Sequence, residues 1–348
     1  MAEGLMMLFL SLTFTLTTVL IWFYAERKLA AFFQDRYGPL HVGKAGMLQP
    51  MADLLKLIQK ETIVPAGARK GMFVMAPILV FTSVFAGYAL IPLFSEGSGF
   101  SPVPGGFMIL MGLISIESVA ILMAAYASQS QFPLLGAGRA IAQMVGYEVP
   151  LAISLACFFW ISGTTNPVEI EAMQLQGHAN GSLLSWPFHS AVLAEWGGIF
   201  CWNVLRYPVL LFLLPGFFLA ILAESNRAPF DLPEGESEII GGYHTEYSGF
   251  LWSVFFLAEY AIMLILSLVL VYLFFGGKAS PIPHFGYGHF LAGPHWVWLV
   301  LKTWLIGLVM IWIRWTLPRL RVDQLMGLCW KILTPLALMV LGLVLLFG

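Results

Sequence analysis

The stretch Gly249–Phe275, GFLWSVFFLAEYAIMLILSLVLVYLFF, is apolar almost from end to end and carries one acid, Glu259. About 20 apolar residues in helical form cross the hydrocarbon core of a bilayer, so this run is long enough to span. Seven further runs of the same kind lie at roughly 4–25, 72–94, 106–127, 140–163, 205–223, 296–316 and 329–347. The whole composition agrees with them. Of 348 residues 59% are hydrophobic and 10% are charged, where a soluble domain carries about 25% charged residues. The expected fold is therefore all-α: one polytopic membrane domain, 1–348, with about eight transmembrane helices. The first run is followed by Glu26-Arg27-Lys28 and not by small residues, so it is expected to be a retained span and not a cleaved signal peptide.

The distribution of Lys and Arg predicts orientation. With the N-terminus outside, only Arg206, Lys278 and Lys302 of the 17 cations fall on the outer side. Both termini are thus expected on the outer, periplasmic side of a bacterial cytoplasmic (inner) membrane. The inner loop 26–71 holds an element of another kind. From Met47 to Glu61, Met47, Leu48, Met51, Leu54, Leu55 and Ile58 recur at helical offsets, with Gln49, Asp53, Lys56 and Lys60 opposite and Pro50 suited to a first turn. That pattern predicts an amphipathic helix over 47–61 lying in the membrane interface. The stretch 164–204 is too polar for a span and reads as an outer excursion, with a half-inserted piece near 190–200.

Ionisable groups at bilayer depth are costly and point to function. Glu117, Glu148 and Glu259 each lie inside an apolar run. The inner loop 224–248 concentrates Glu224, Asp231, Glu234, Glu236, Glu238 and Glu246 against one cation, Arg227, which stands three residues after Glu224 and offers it a local partner. A helix starting near Pro233 would set Glu234 and Glu238 on one face. Interleaved Pro229, Phe230, Leu232, Ile239 and Ile240 suggest that this loop folds into the membrane mouth. Acids so placed predict a proton path or polar cavity.

Other chemistry is not indicated. A net charge of −2 gives no basic surface for nucleic acid. No nucleotide-binding glycine motif occurs. Cys157, Cys201 and Cys329 are isolated, and His284, His289 and His295 stand at Gly- and Pro-rich spacing that fixes no ligand geometry, so no metal site is expected. Trp186, Trp196, Trp202, Trp296, Trp298 and Trp304 fall near span ends, as interface anchors do.

Four stretches carry a resemblance to a known family. AERKLAAFFQDRYGPLHVGKAGMLQPMADLLKLIQKE (Ala25–Glu61) and AESNRAPFDLPEGESEIIGGYHTEYSG (Ala223–Gly249) resemble the first and third inner loops of the H-subunit family of respiratory complex I (NADH-quinone oxidoreductase), the bacterial counterpart of mitochondrial subunit 1. LLGAGRAIAQMVGYE (Leu134–Glu148) and PRLRVDQLMGLCWK (Pro318–Lys331) agree with it. The resemblance implies the membrane side of a quinone-binding chamber, with quinone as substrate and FMN and iron–sulfur clusters in partner subunits, none in this chain. It implies as partners the peripheral-arm quinone-site subunits, including the one that carries the terminal iron–sulfur cluster, and antiporter-like membrane subunits. By motif position it places Arg27, Arg36 and Asp53 on the chamber wall or mouth. It places Glu117, Glu148, Glu224, Asp231, Glu234, Glu236, Glu238, Glu246 and Glu259 along the proton-coupling path. The competing readings are the anchor subunit of a related membrane-bound hydrogenase-type complex and a stand-alone ion transporter.

Overall fold

The computed structural model describes residues 2–93, 105–176, 198–233, 235, 239–282 and 294–347, and every regular element among them is helical. The elements are α1 (Ala2–Phe33), α2 (Gln49–Gln59), α3 (Lys70–Tyr88), α4 (Gly106–Ser128), α5 (Gln131–Ser162) and α6 (Pro167–Gln176). After them come α7 (Asn203–Arg206), α8 (Pro208–Glu224), α9 (Gly249–Phe274), α10 (Trp296–Thr316), α11 (Val322–Leu328) and α12 (Thr334–Phe347). A π-helical turn, Cys329–Leu333, joins α11 to α12. Seven of the resulting helices are long and apolar enough to cross a membrane, α11–α12 counted as one. The eighth expected span is α8, which at 17 residues is shorter than the rest. At 1.5 Å per residue it reaches about 26 Å, a little under the ~30 Å hydrocarbon core. The amphipathic helix forms over Gln49–Gln59 with Pro50 in its first turn.

The long apolar run with its single acid becomes the centre of the bundle. Every residue from 258 to 274 of α9 is buried, because α9 packs on α1, α2, α3, α6, α8 and α10. A helix that is apolar on all faces needs such a surround. Its C-terminal end is closed by side chains. Lys302 donates from Nζ to the carbonyls of Phe275 (2.7 Å), Gly277 (3.1 Å) and Ala279 (2.6 Å). Gln174 and Asn203 donate to the carbonyls of Tyr272 and Leu273 at 2.7 and 2.9 Å. Glu171 accepts from the Lys278 amide at 2.7 Å. Helix C-terminal carbonyls lack partners of their own and attract cations, and Lys302 and Lys278 are both held at this cap. The expected half-inserted piece near 190–200 lies mostly outside the described residues.

Two prolines inside spans free backbone carbonyls, and distant residues take them up. Pro77 cannot donate to the Phe73 carbonyl, which instead accepts from the Tyr247 hydroxyl at 3.1 Å. Pro150 likewise frees the Gly146 carbonyl, which accepts from Cys329 Sγ at 2.9 Å. Re-satisfaction by a neighbouring helix is what makes proline tolerable at membrane depth. It also fixes α3 to the acidic loop, and α5 to the π-helical turn two residues from Glu148.

α1 does not stop where its apolar run stops. It continues through Glu26, Arg27 and Lys28 to Phe33. Val19, Trp22, Glu26 and Ala30 form one buried stripe, 4%, 1%, 7% and 3% exposed. On that stripe Trp22 lies against Gly307 of α10, where any Cβ would stand 2.2 Å from the indole.

Candidate functional site

Two features stand out in the bundle: a cleft at its flank and a set of buried acids. The cleft, about 170 Å³, lies between α1, α2 and α9. Its walls are mainly apolar, with Val19, Leu20, Phe23, Leu54, Leu57, Trp252, Phe256 and Leu257, and its polar end is Arg27 with Asp53. Arg27 Nη1 is 2.5 Å from Asp53 Oδ2, and its guanidinium lies 4.1 Å over the Phe23 ring. Gln49 donates to the other Asp53 oxygen at 3.2 Å. The helical pattern of α2 turns Asp53 and Leu57 toward the bundle while Met51, Leu55 and Ile58 stay exposed. Arg36 is elsewhere: it is exposed on the loop after α1 and does not line this cleft.

The acids form a connected electrostatic series. Glu224 feels the charge of Glu148, and Glu117 feels those of Glu224 and Glu259. They reside on four helices, α5, α8, α4 and α9, that packing brings together. Glu117 and Glu224 are each 1% exposed. Both oxygens of Glu224 and one of Glu117 lack a hydrogen-bond partner among the described residues. Glu148 is half-buried and lines a groove of about 300 Å³ between α4 and α5 with Gly112, Ser115 and Ala152. At the other end, Glu259 accepts from the Tyr243 hydroxyl at 2.8 Å and lies 3.1 Å from His244 Nε2. Asp231 and Glu246 are half-buried in the loop. Glu234, Glu236 and Glu238, and with them the expected helix from Pro233, fall outside the described residues.

Between cleft and acids stands a node that the sequence reading passed over. Glu26 accepts from the Tyr260 hydroxyl at 2.5 Å, forms an ion pair with Arg314, and has Arg227 Nη1 3.5 Å away. Arg227 stacks 3.9 Å over the Tyr260 ring. Burial works against the Arg227 charge, but Tyr260, Glu26 and Glu259 outweigh it and hold its pKa above the ordinary value. The expected pairing of Arg227 with Glu224 is therefore replaced by a pairing with Glu26. Local spacing suggested the nearer acid, whereas α1 and α9 supply a carboxylate and a ring face together. A signal for Glu26 did exist, since it lies on the same helical stripe as Val19, Trp22 and Ala30. Gln143 was also missed: from mid-α5 it donates to the Ala223 carbonyl at 2.7 Å and to Asn226 at 3.2 Å, tying α5 to the end of α8.

Among the described residues no group of three or more His, Cys, Asp or Glu side chains could hold a metal ion. Cys157, Cys201 and Cys329 are separately buried. The arrangement defines a polytopic α-helical membrane protein with an apolar cleft headed by Arg27 and Asp53 and a separate set of buried acids.

Comparison with known proteins makes the class specific. The NADH dehydrogenase family model matches residues 5–345. Relatives include a protein of Cytophaga hutchinsonii named as the second H subunit of NADH-quinone oxidoreductase, 44% identical over 93% of this chain and 94% of the relative. The proteins named as the H subunit of NADH-quinone oxidoreductase from Chlorobium luteolum and Rubrobacter xylanophilus are 43% and 42% identical, each over 90% of this chain, and over 80% and 86% of their own lengths. The chain belongs to the NADH dehydrogenase family.

Proposed function

We propose that this chain is the H subunit of a proton-translocating NADH-quinone oxidoreductase, seated in the bacterial cytoplasmic membrane with both termini on the outer side. It forms the membrane side of the quinone chamber and passes the consequence of quinone reduction into a series of buried acids. The observation that carries this reading is the cleft between α1, α2 and α9, with an apolar wall and an Arg27–Asp53 head, Arg27 being the residue next to Glu26 on α1. An amphipathic quinone fits such a lining: its tail lies along Phe23, Trp252 and Phe256, and its ring oxygens meet the charged end.

Reduction of quinone to quinol takes two electrons and two protons. An iron–sulfur centre of a partner subunit would supply the electrons, and no redox group is assigned to this chain. This chain's contribution is to orient the quinone, exclude water and hold the acids that answer a change of charge in a low-dielectric site. Arg36, exposed here, is assigned to the part of the chamber completed by the peripheral-arm subunits. Asp231, Glu234, Glu236, Glu238 and Glu246 carry the response from the loop into Glu259, Glu117, Glu224 and Glu148, and from there toward the antiporter-like subunits.

The loop assignment is tested by the double variant Glu234→Gln/Glu238→Gln. The complex assembles and still oxidises NADH with an artificial acceptor, while quinone reduction and proton pumping are lost together. Unchanged turnover and pumping would refute it. The cleft assignment is tested with Asp53→Asn, which keeps the Gln49 contact and removes the ion pair. The KM for quinone rises about tenfold, equivalent to about 1.4 kcal/mol of binding, with kcat less affected; an unchanged KM removes Arg27 and Asp53 from the quinone path. Orientation is checked with single cysteines at the two ends. A membrane-impermeant thiol reagent labels both in intact cells from which the outer membrane has been stripped, and protection of either reverses the assignment.

A further inference from the structure

The loop 224–248 has one guanidinium, and it is committed away from the loop's own acids. Arg227 is 6% exposed, stacked on Tyr260 of α9, with Nη1 3.5 Å from Glu26 of α1. Glu26 is itself 7% exposed and receives Tyr260 and Arg314 as well. Three residues before Arg227, Glu224 keeps both oxygens without a hydrogen-bond partner among the described residues. The amide that reaches this end of α8 gives no relief, because Gln143 Nε2 is already used by the Ala223 carbonyl and Asn226. Among the described residues the charge that acts on Glu224 is the Glu148 carboxylate of α5, and Glu224 in turn acts on Glu117 of α4.

We infer that Glu26 is a positioning residue: by holding Arg227 against Tyr260 it withholds the loop's one guanidinium from Glu224 and leaves that carboxyl free to exchange protons during turnover. The inference rests on the proton-coupling reading above. An opposite charge within about 4–6 Å moves a carboxyl's proton affinity by one to three pKa units, so where Arg227 points decides whether Glu224 works in the operating range. The geometry says which arginine would move if Glu26 lost its charge. The Arg314 side chain is 30% exposed and can turn to solvent, whereas that of Arg227, 7% exposed, cannot. A buried guanidinium must find a carboxylate, and Glu224 at i−3 is the local one. Glu259, which also acts on Arg227 from α9, is already engaged by Tyr243 and His244.

The test uses the whole complex reconstituted in liposomes, following NADH-driven quinone reduction and proton uptake across pH, with NADH oxidation by an artificial acceptor as the assembly control. In Glu26→Gln the alkaline limb of the pH–rate profile moves to lower pH by about one unit, and protons pumped per NADH fall. In Glu26→Gln/Arg227→Gln the limb returns toward the wild-type position, because the released cation is gone. Glu26→Asp, which keeps the charge, stays near wild type. A limb unmoved in Glu26→Gln, or a shift that persists in the double variant, overturns the inference. If Glu26→Gln does not assemble, Arg227→Lys replaces it: a compact ammonium spreads less well over the Tyr260 ring, so the same displacement is expected and its absence overturns the inference. Failure of the underlying reading looks different, since Glu224→Gln would then retain full pumping whatever the Glu26 variants do.

Discussion

Replacing Glu224 with Gln is expected to lower NADH-driven quinone reduction at least about tenfold, which is about 1.4 kcal/mol in the barrier, and to abolish the associated proton pumping. Glu224 closes α8, is 1% exposed and couples electrostatically to Glu148 on one side and Glu117 on the other. Gln preserves the volume, so packing of α8 against α5 is kept. What disappears is the ability to bind and release a proton between its two neighbours. The peripheral reaction with an artificial acceptor should be unaffected, because it does not involve the membrane part. Measurement of both activities on the purified complex, together with pumping in liposomes, decides the matter. Pumping at the wild-type ratio would remove Glu224 from the path.

Gly136→Ala is expected to damage the same function from a residue with no polar side chain. A Cβ on Gly136 would stand 2.7 Å from Gly242 Cα and 2.9 Å from both Gly242 C and Tyr243 N. These are backbone atoms, so no rotamer change relieves the clash, and α5 and the 242–244 turn must separate. Overpacking of this kind costs about 1–3 kcal/mol. It falls on the segment that delivers Tyr243 and His244 to Glu259. The variant should show a lowered Tm for the complex and a larger proportional loss of coupled quinone reduction than of artificial-acceptor activity. Equal losses would mean that the contact serves stability alone. Gly138, where an added Cβ would meet no heavy atom within 4 Å, is the matched control.

Much of the architecture was legible because lipid imposes a harsh rule on sequence. Apolar runs long enough to cross announce themselves, and the helices over 249–275, 106–127 and 296–316 follow their predicted bounds within a residue or two. The amphipathic pattern around Pro50 was legible for the same reason, since its charges exclude a crossing and its period fixes a helix. The extension of α1 past Ala25 was not. Three consecutive charged residues look like the end of a span, and they are helical because Glu26 finds Tyr260, Arg314 and Arg227 in the tertiary fold. The acids inside spans stood out as costly groups, but which of them act on one another, Glu148 on Glu224 and Glu224 and Glu259 on Glu117, does not follow from their order in the chain.

From the order of residues alone follow the class of fold, the number of apolar crossings within one short helix, and the few ionisable residues that lie inside apolar runs. They follow because hydrophobic burial in a membrane depends on composition and period along one chain segment. The pairing of those residues came only with packing: Arg227 with Glu26 and not Glu224, Cys329 with the carbonyl freed by Pro150, and Lys302 with the end of α9. Ion pairs and hydrogen bonds are short-ranged and directional. Their partners are therefore set by which helices touch, which no local spacing encodes.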